Sequence, residues 1–231
     1  MRAVFGIVVV ACIGCGSVKN NEVDAAVADS PKPVDASPEA GCQPQMLLVG
    51  GTDVTAQGWA TVQQPTATLT NGPDFVHLQT ATIPGSASGG QLLLNYPGAV
   101  DATMPFKIQV VMLVESVTDH NQFDSAAAIM GSFGGGAGVG NDRDQMIYVD
   151  NAKIGWADDS ESFAVTITDN AFHTFELSVD ASAVAHVSVD GVSALTRNGF
   201  LANGAIAIGD QTNDPNVESA LRIRSVTKLC P

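Results

Sequence analysis

The chain has 231 residues, 45% of them hydrophobic, with 24 acidic against 10 basic side chains and a formal charge of -14. That apolar content is enough to build a full core and excludes a disordered protein. The acidic balance and the lack of clustered Lys and Arg exclude a nucleic-acid partner, because phosphate recognition needs concentrated positive charge. Several acidic residues stand singly beside Gly, Asn or Pro, as at Asp74, Asp150, Asp190 and Asp210, a pattern of turn chemistry and solubility.

In chain order, Arg2 precedes an apolar run from Val4 to Ile13, which is far shorter than the ~20 residues of a membrane-spanning helix and reads as an export signal. The run ends in Cys12-Ile13-Gly14-Cys15-Gly16. This resembles the lipobox of bacterial lipoproteins, in which a small residue precedes a Cys that is acylated and becomes the mature N-terminus. Two frames compete. The Val9-Val10-Ala11-Cys12 frame fits the motif locally but leaves little apolar length for translocation. Lipidation at Cys15 would discard Cys12 and leave Cys42 and Cys230 as an even pair, as expected in an oxidising compartment. Residues 1–14 are accordingly expected to be the signal, and the resemblance implies a lipid anchor in the cell envelope. Gly16 in place of the Asp that resembles an inner-membrane retention signal favours the outer membrane.

Residues 15–41 are rich in Ala, Asp, Ser and Pro, with Pro31-Lys32-Pro33 and Asp35-Ala36-Ser37-Pro38. Such a segment cannot build a core and reads as a flexible tether with a span of roughly 25 to 30 Å.

From Cys42 to Pro231 the apolar residues recur with period two, which predicts strands. Short strands are expected near 46–49, 59–62, 67–70, 75–79 and 91–96, and a longer one follows where Phe106, Ile108, Val110, Met112 and Val114 alternate. Further strands are expected near 127–133, 146–149, 153–156, 163–167, 172–179, 183–189, 205–208 and 221–229. Asp190-Gly191 is a tight-hairpin signal. Many short strands separated by Gly and Pro predict an all-β sandwich or barrel. A Cys42–Cys230 bond would require the first and last strands to lie side by side, since the two Cα atoms must come within roughly 7 Å.

The run Phe172 to Val179, then Val187-Ser188-Val189-Asp190-Gly191, then Ile206-Ala207-Ile208-Gly209-Asp210, then Leu221 to Val226 is similar to the closing half of concanavalin A-like jelly rolls, including laminin-G-like domains. The resemblance implies a two-sheet antiparallel jelly roll with adjacent terminal strands, and a glycan or another envelope component as partner.

The chain contains no Glu-x-Asp-x-Glu or Glu-x-Asp-x-x-Glu run of the kind β-glucan-cleaving jelly rolls use, and retaining hydrolysis needs two carboxyls about 5 Å apart. Asp158-Asp159-Ser160-Glu161 is the nearest approach and reads as a solvated turn. The chain has no G-x-S-x-G elbow, and Gly134–Gly140 holds no phosphate-binding glycine pattern; the expectation is a binding domain that is not an enzyme, with a glycoside hydrolase lacking a recognisable carboxylate motif as an alternative. His77, His120, His173 and His186 are isolated in sequence and give no zinc motif. No cofactor is expected beyond calcium as a candidate at two Asp- and Asn-bearing loops, where Asp142, Asp144, Asp210 and Asp214 are the ligand candidates and Asx turns the competing role. For glycan stacking the candidates are Trp59, Tyr96, Tyr148 and Trp156, with core packing as the competing role. Exposure of Tyr148 and Trp156 on one groove would favour glycan binding, whereas burial of both would favour an interaction lipoprotein without a small-molecule ligand.

Overall fold

The computed structural model describes residues 41–133 and 145–231. The expected signal, the expected tether, Cys12, Cys15 and residues 134–144, with Asp142 and Asp144, lie outside the described residues. Residues Gly41–Pro231 form one compact unit.

Its strands are β1 (Gln45–Val49), β2 (Ala60–Gln63), β3 (Thr68–Asn71), β4 (Val76–Gln79), β5 (Leu92–Tyr96), β6 (Phe106–Val117), β7 (Ala128–Met130), β8 (Met146–Val149), β9 (Lys153–Trp156), β10 (Ser162–Ala164), β11 (His173–Val179), β12 (Val184–Val189), β13 (Val192–Asn198), β14 (Ile206–Asp210) and β15 (Ser219–Leu229). They make two antiparallel sheets. One runs β13-β12-β11-β6-β15-β4-β3, with β1 also on β15; the other runs β10-β9-β8-β7-β14-β5-β2. The sheets face each other as an open sandwich.

The two sheets differ in how their sequences distribute apolar residues. In the first sheet, β11 alternates buried and half-buried positions from His173 to Val179, and β6 does the same over most of its length. One face of this sheet enters the core and the other meets water. In the second sheet Leu92-Leu93-Leu94 and Met146 to Val149 are buried at every position. Leu92, Leu94, Ile147 and Val149 join the inter-sheet core. Leu93, Met146 and Tyr148 point the other way and form a second apolar cluster with Ala128, Met130, Ala157 and Ala207. The middle strands of this sheet are buried on both faces, which is why they read as unbroken apolar runs, while the outer strands β2 and β10 are largely exposed.

Cys42 and Cys230 form a disulfide, consistent with an extracytoplasmic protein. The expected Phe163–Ile167 strand pairs over only Ser162–Ala164, because beyond Ala164 the partner chain turns back at Asn151 and Ala152. Strand β13 has no counterpart in the sequence reading; only Leu195 of its seven residues is buried. The hairpin that leads into it is as expected, with Asp190 and Gly191 both at positive φ, the backbone that Asp-Gly turns adopt.

Candidate functional site

The β8–β9 hairpin carries the site. Asp150 and Lys153 close it through a backbone hydrogen bond in which the Asp150 amide donates to the Lys153 carbonyl over 2.9 Å. Asn151 and Ala152 form the two-residue turn. Tyr148 stands directly across from Gly155, and its ring lies over that glycine: a Cβ there would sit 2.5 Å from the phenol oxygen. His120 stacks on the ring at 4.0 Å between centroids and 6° between planes. Lys153 brings its ammonium to 5.4 Å from the same ring centroid.

His120 comes from the loop after β6 and ties that loop to the hairpin. Its backbone amide donates to Asp150 Oδ1 over 2.8 Å, while Nδ1 meets Ser125 Oγ at 2.9 Å and Nε2 lies 3.4 Å from Asp159 Oδ1. Ser125, His120 and Asp159 have the residue types of a hydrolytic triad. Ser125, however, is only 1% exposed, so in this conformation its hydroxyl fixes the imidazole and does not meet a substrate carbonyl. Asn151 completes the tie by donating from Nδ2 to Asp119 Oδ1 over 2.7 Å.

A cleft of about 240 Å³ opens beside this hairpin, lined by Asp119, Asp150, Ala152, Lys153, Ser162 and Ala164. Asp150 is its most unusual member. It is 2% exposed, and its Oδ2 is a buried acceptor without a hydrogen-bond partner. Burial pushes the carboxyl up to about 6, against the opposing hydrogen bond from the His120 amide; the negative charge of Asp119 adds to the upward push and Lys153 works against it. An unmatched buried acceptor costs about 1 to 3 kcal/mol, and because this oxygen has essentially no accessible surface it meets neither water nor a ligand in this conformation.

Of the aromatic residues expected from sequence, Tyr148 belongs to this cluster and Trp59, Tyr96 and Trp156 pack elsewhere. Trp59 is buried, donates from Nε1 to the Leu47 carbonyl, and meets the half-buried Tyr96 edge-on at 5.3 Å. Trp156 is buried in the inter-sheet core with Phe200 beside it and the Arg197 guanidinium 4.8 Å from its ring. Tyr148 and Trp156 do not share a groove. The two-residue turn sets Ile147, not Tyr148, across from Trp156, so two even-numbered residues on these strands face opposite ways. With Trp59, Tyr148 and Trp156 all at most 2% exposed, the expected open stacking platform is corrected to packing.

The calcium expectation also changes. Asp142 and Asp144 lie outside the described residues. Asp210 is 1% exposed; its Oδ2 accepts from Thr80 Oγ1 at 2.6 Å and its Oδ1 from the Thr212 amide at 3.0 Å. Burial pushes its carboxyl up to about 7, with help from the charge of Asp124. Asp214 Oδ1 caps the Asn216 amide and side chain. Among the described residues no three His, Cys, Asp or Glu side chains converge to hold a metal ion. The reading of Asp158 to Glu161 as a turn agrees with the structure: Asp158 Oδ1 accepts from the Ser160 amide and hydroxyl, and Asp159 adopts positive φ.

The chain matches no protein-family model and no curated protein. Solved structures do resemble it. A carbohydrate esterase from Shiga toxin-encoding bacteriophage phi24B superposes with a TM-score of 0.50 and 16% identity, covering 82% of this chain and 100% of that one. A cellulose-induced protein superposes at 0.53 with 12% identity, over 78% of this chain and 96% of that one. An endo-β-1,4-glucuronan lyase from the fungus Trichoderma reesei superposes at 0.53 with 10% identity, over 81% and 96%. The fold is the concanavalin A-like jelly roll. Two of these neighbours are enzymes, which corrects the sequence-based expectation that this domain is not one.

Proposed function

We propose that the domain recognises carbohydrate in the cleft at the β8–β9 turn, and that a lipid on Cys15 and the tether through residue 41 display it at the outer membrane. The observation that carries the reading is the cleft of about 240 Å³ at the turn, lined by both polar and small apolar side chains. Asp119, which is exposed, offers an acceptor to sugar hydroxyls, Lys153 and Ser162 offer donors, and Ala152 and Ala164 give an apolar wall for C–H faces. The jelly-roll neighbours support this ligand class, being a carbohydrate esterase and a glucuronan lyase. Those neighbours are enzymes, so turnover belongs in the same test.

The test is a glycan array probed with the full-length, detergent-solubilised protein, followed by product analysis of every bound glycan for cleaved linkages and released acyl groups. Binding that Asp119→Ala abolishes supports the proposal; silence across the array overturns it. Burial of Tyr148 and Trp156 favours a second reading, an interaction lipoprotein without a small-molecule ligand, which the silent outcome would leave standing. Intact mass of the membrane-extracted protein tests the anchor. An unmodified N-terminus downstream of Cys15 contradicts it.

A further inference from the structure

Three Asn-Gly pairs occur in the chain, Asn71-Gly72, Asn198-Gly199 and Asn203-Gly204. An asparagine followed by glycine can react with its own backbone, because no Cβ hinders the glycine nitrogen as it approaches the asparagine Cγ. The fold holds two of the pairs out of this reaction. At the first, the Gly72 amide donates to the Phe75 carbonyl over 2.8 Å, and the Phe75 ring closes over the glycine so tightly that no Cβ would fit there. At the third, the side-chain amide is fixed: Asn203 Oδ1 accepts from the Phe133 and Ala205 amides, and Nδ2 donates to the Phe133 carbonyl over 2.7 Å. Gly204 is also buried. Asn198-Gly199 differs in each respect. Both residues are exposed, and a Cβ on Gly199 would meet nothing within 4 Å. Among the described residues neither the Asn198 side chain nor the Gly199 amide has a hydrogen-bond partner. Asn198 is the last residue of β13, an outermost strand that pairs with β12 alone, so the reacting groups lie where the ladder ends.

We propose that Asn198 is a site of spontaneous, backbone-mediated conversion to aspartate and isoaspartate. The Gly199 nitrogen gives up its proton and bonds to Asn198 Cγ; the Cγ–Nδ2 bond breaks, and Nδ2 leaves with that proton as ammonia, closing a cyclic imide. Water then opens the imide at either carbonyl. One opening restores the ordinary main chain and leaves an aspartate. The other routes the main chain through the former side chain, one carbon longer, as isoaspartate. No oxidant, metal or second protein takes part, and the modification is independent of what the cleft at the β8–β9 turn binds. Its consequence falls on Phe200, two residues on. The Phe200 amide donates to the Ala183 carbonyl over 2.9 Å, and its buried ring packs in the core beside Phe106 and Trp156. An extra main-chain carbon just before that anchor shifts either the end of β13 against β12 or the Phe200 ring in its seat. An aspartate with the ordinary main chain does neither.

The experiment is a time course of the full-length protein in mildly alkaline and mildly acidic buffer, folded and in concentrated urea, read by peptide mapping with mass spectrometry that separates aspartate from isoaspartate. In the folded protein at alkaline pH the Asn198 peptide is expected to gain both products at least about tenfold faster than the Asn71 and Asn203 peptides, the factor set by one hydrogen bond that must break before reaction. Acid slows the conversion, because the attacking nitrogen must lose its proton. In urea the three rates converge to within about threefold, since the hydrogen bonds that protect the other two pairs are gone. Aged protein enriched in isoaspartate unfolds at lower denaturant than fresh protein, whereas Asn198→Asp, with the charge but the ordinary main chain, unfolds with the fresh parent. Equal rates at the three sites in the folded protein, or an Asn198 preference that persists in urea, overturn the assignment to this fold. Aspartate without isoaspartate overturns the backbone route. Aged protein as stable as fresh protein overturns the consequence for Phe200 and leaves the modification site standing.

Discussion

Cys42 and Cys230 are separated by 188 residues in sequence and by 5.8 Å between Cα atoms. Strand β1 runs antiparallel to the end of β15, with Gln45 facing Lys228, so the covalent link and the backbone ladder bind the same two strands. In the chain-entropy account a loop this long, closed in the unfolded state, contributes about 5 kcal/mol of stability. The double variant Cys42→Ser, Cys230→Ser is expected to lose about 2 to 5 kcal/mol in denaturant unfolding and to become insensitive to reductant. A midpoint identical to that of the parent would contradict this.

Stability is expected to rise as pH falls from 8 to about 4.5. Asp210 holds its proton up to about 7 in the folded state against an ordinary carboxyl value of 3.8, so above 7 the fold carries a buried charge that the unfolded chain does not. Acidification relieves this first in the folded state, by about 4 kcal/mol in full. Asp150, held near 6, acts in the same sense. So does His173: burial opposes its charge, but hydrogen bonds to Asp190 and Asp169 outweigh burial and raise its pKa. Its contribution is complete below 6.5 and is lost as pH climbs through the raised value. Asp169 and Asp190 are both lowered, Asp169 chiefly by the His173 hydrogen bond, and Asp190 by the Thr174 amide and His173 against the upward pull of burial. Their contributions are lost only below about 4, which places the maximum in mildly acidic solution. Urea unfolding at pH 8, 6 and 4.5 checks the slope, and Asp210→Asn should flatten it.

Gly155→Ala is expected to damage both stability and the cleft. The added methyl would fall 2.5 Å from the Tyr148 phenol oxygen, and the ring cannot swing away easily because His120 is stacked on it. A loss of about 1 to 3 kcal/mol is typical of such overpacking. Displacing Tyr148 also moves the group that Lys153 contacts, so glycan binding should weaken alongside stability. Denaturant unfolding and near-ultraviolet circular dichroism would show it, and an unaltered tyrosine signal would count against the geometry.

The fold was legible wherever burial followed the strand period. Met146–Val149 and Lys153–Trp156 have the same ends in sequence reading and structure, because continuous apolar runs bounded by Asp and Asn leave little choice. Val192–Asn198 escaped notice because it offers no continuous apolar face; it is recruited by the Asp190-Gly191 turn and the ladder to β12. The site was hidden for a different reason. Asp119 and His120 lie some thirty residues before Asp150, and only the antiparallel return of the chain through β7 and β8 brings them together. Asp150 was read as a turn residue. It is one, but nothing in its flanking residues reveals that one of its oxygens is buried without a partner. The aromatics drew attention by their chemistry and proved to be packing, since a residue's face depends on turn length as much as on its own number.

At one side of the sandwich the outermost strands β13 and β10 are bound across the gap between the sheets. The Thr196 amide donates to Glu161 Oε2, and Arg197 reaches Asp158 and Ser160. An uncovered outer strand is a template on which a second molecule can add its own backbone and begin a fibril. Here β10 is only three residues long, and a carboxylate occupies a main-chain donor of its counterpart. This margin is thereby closed to stacking, and the protein can be held at high density without growing into aggregates along it.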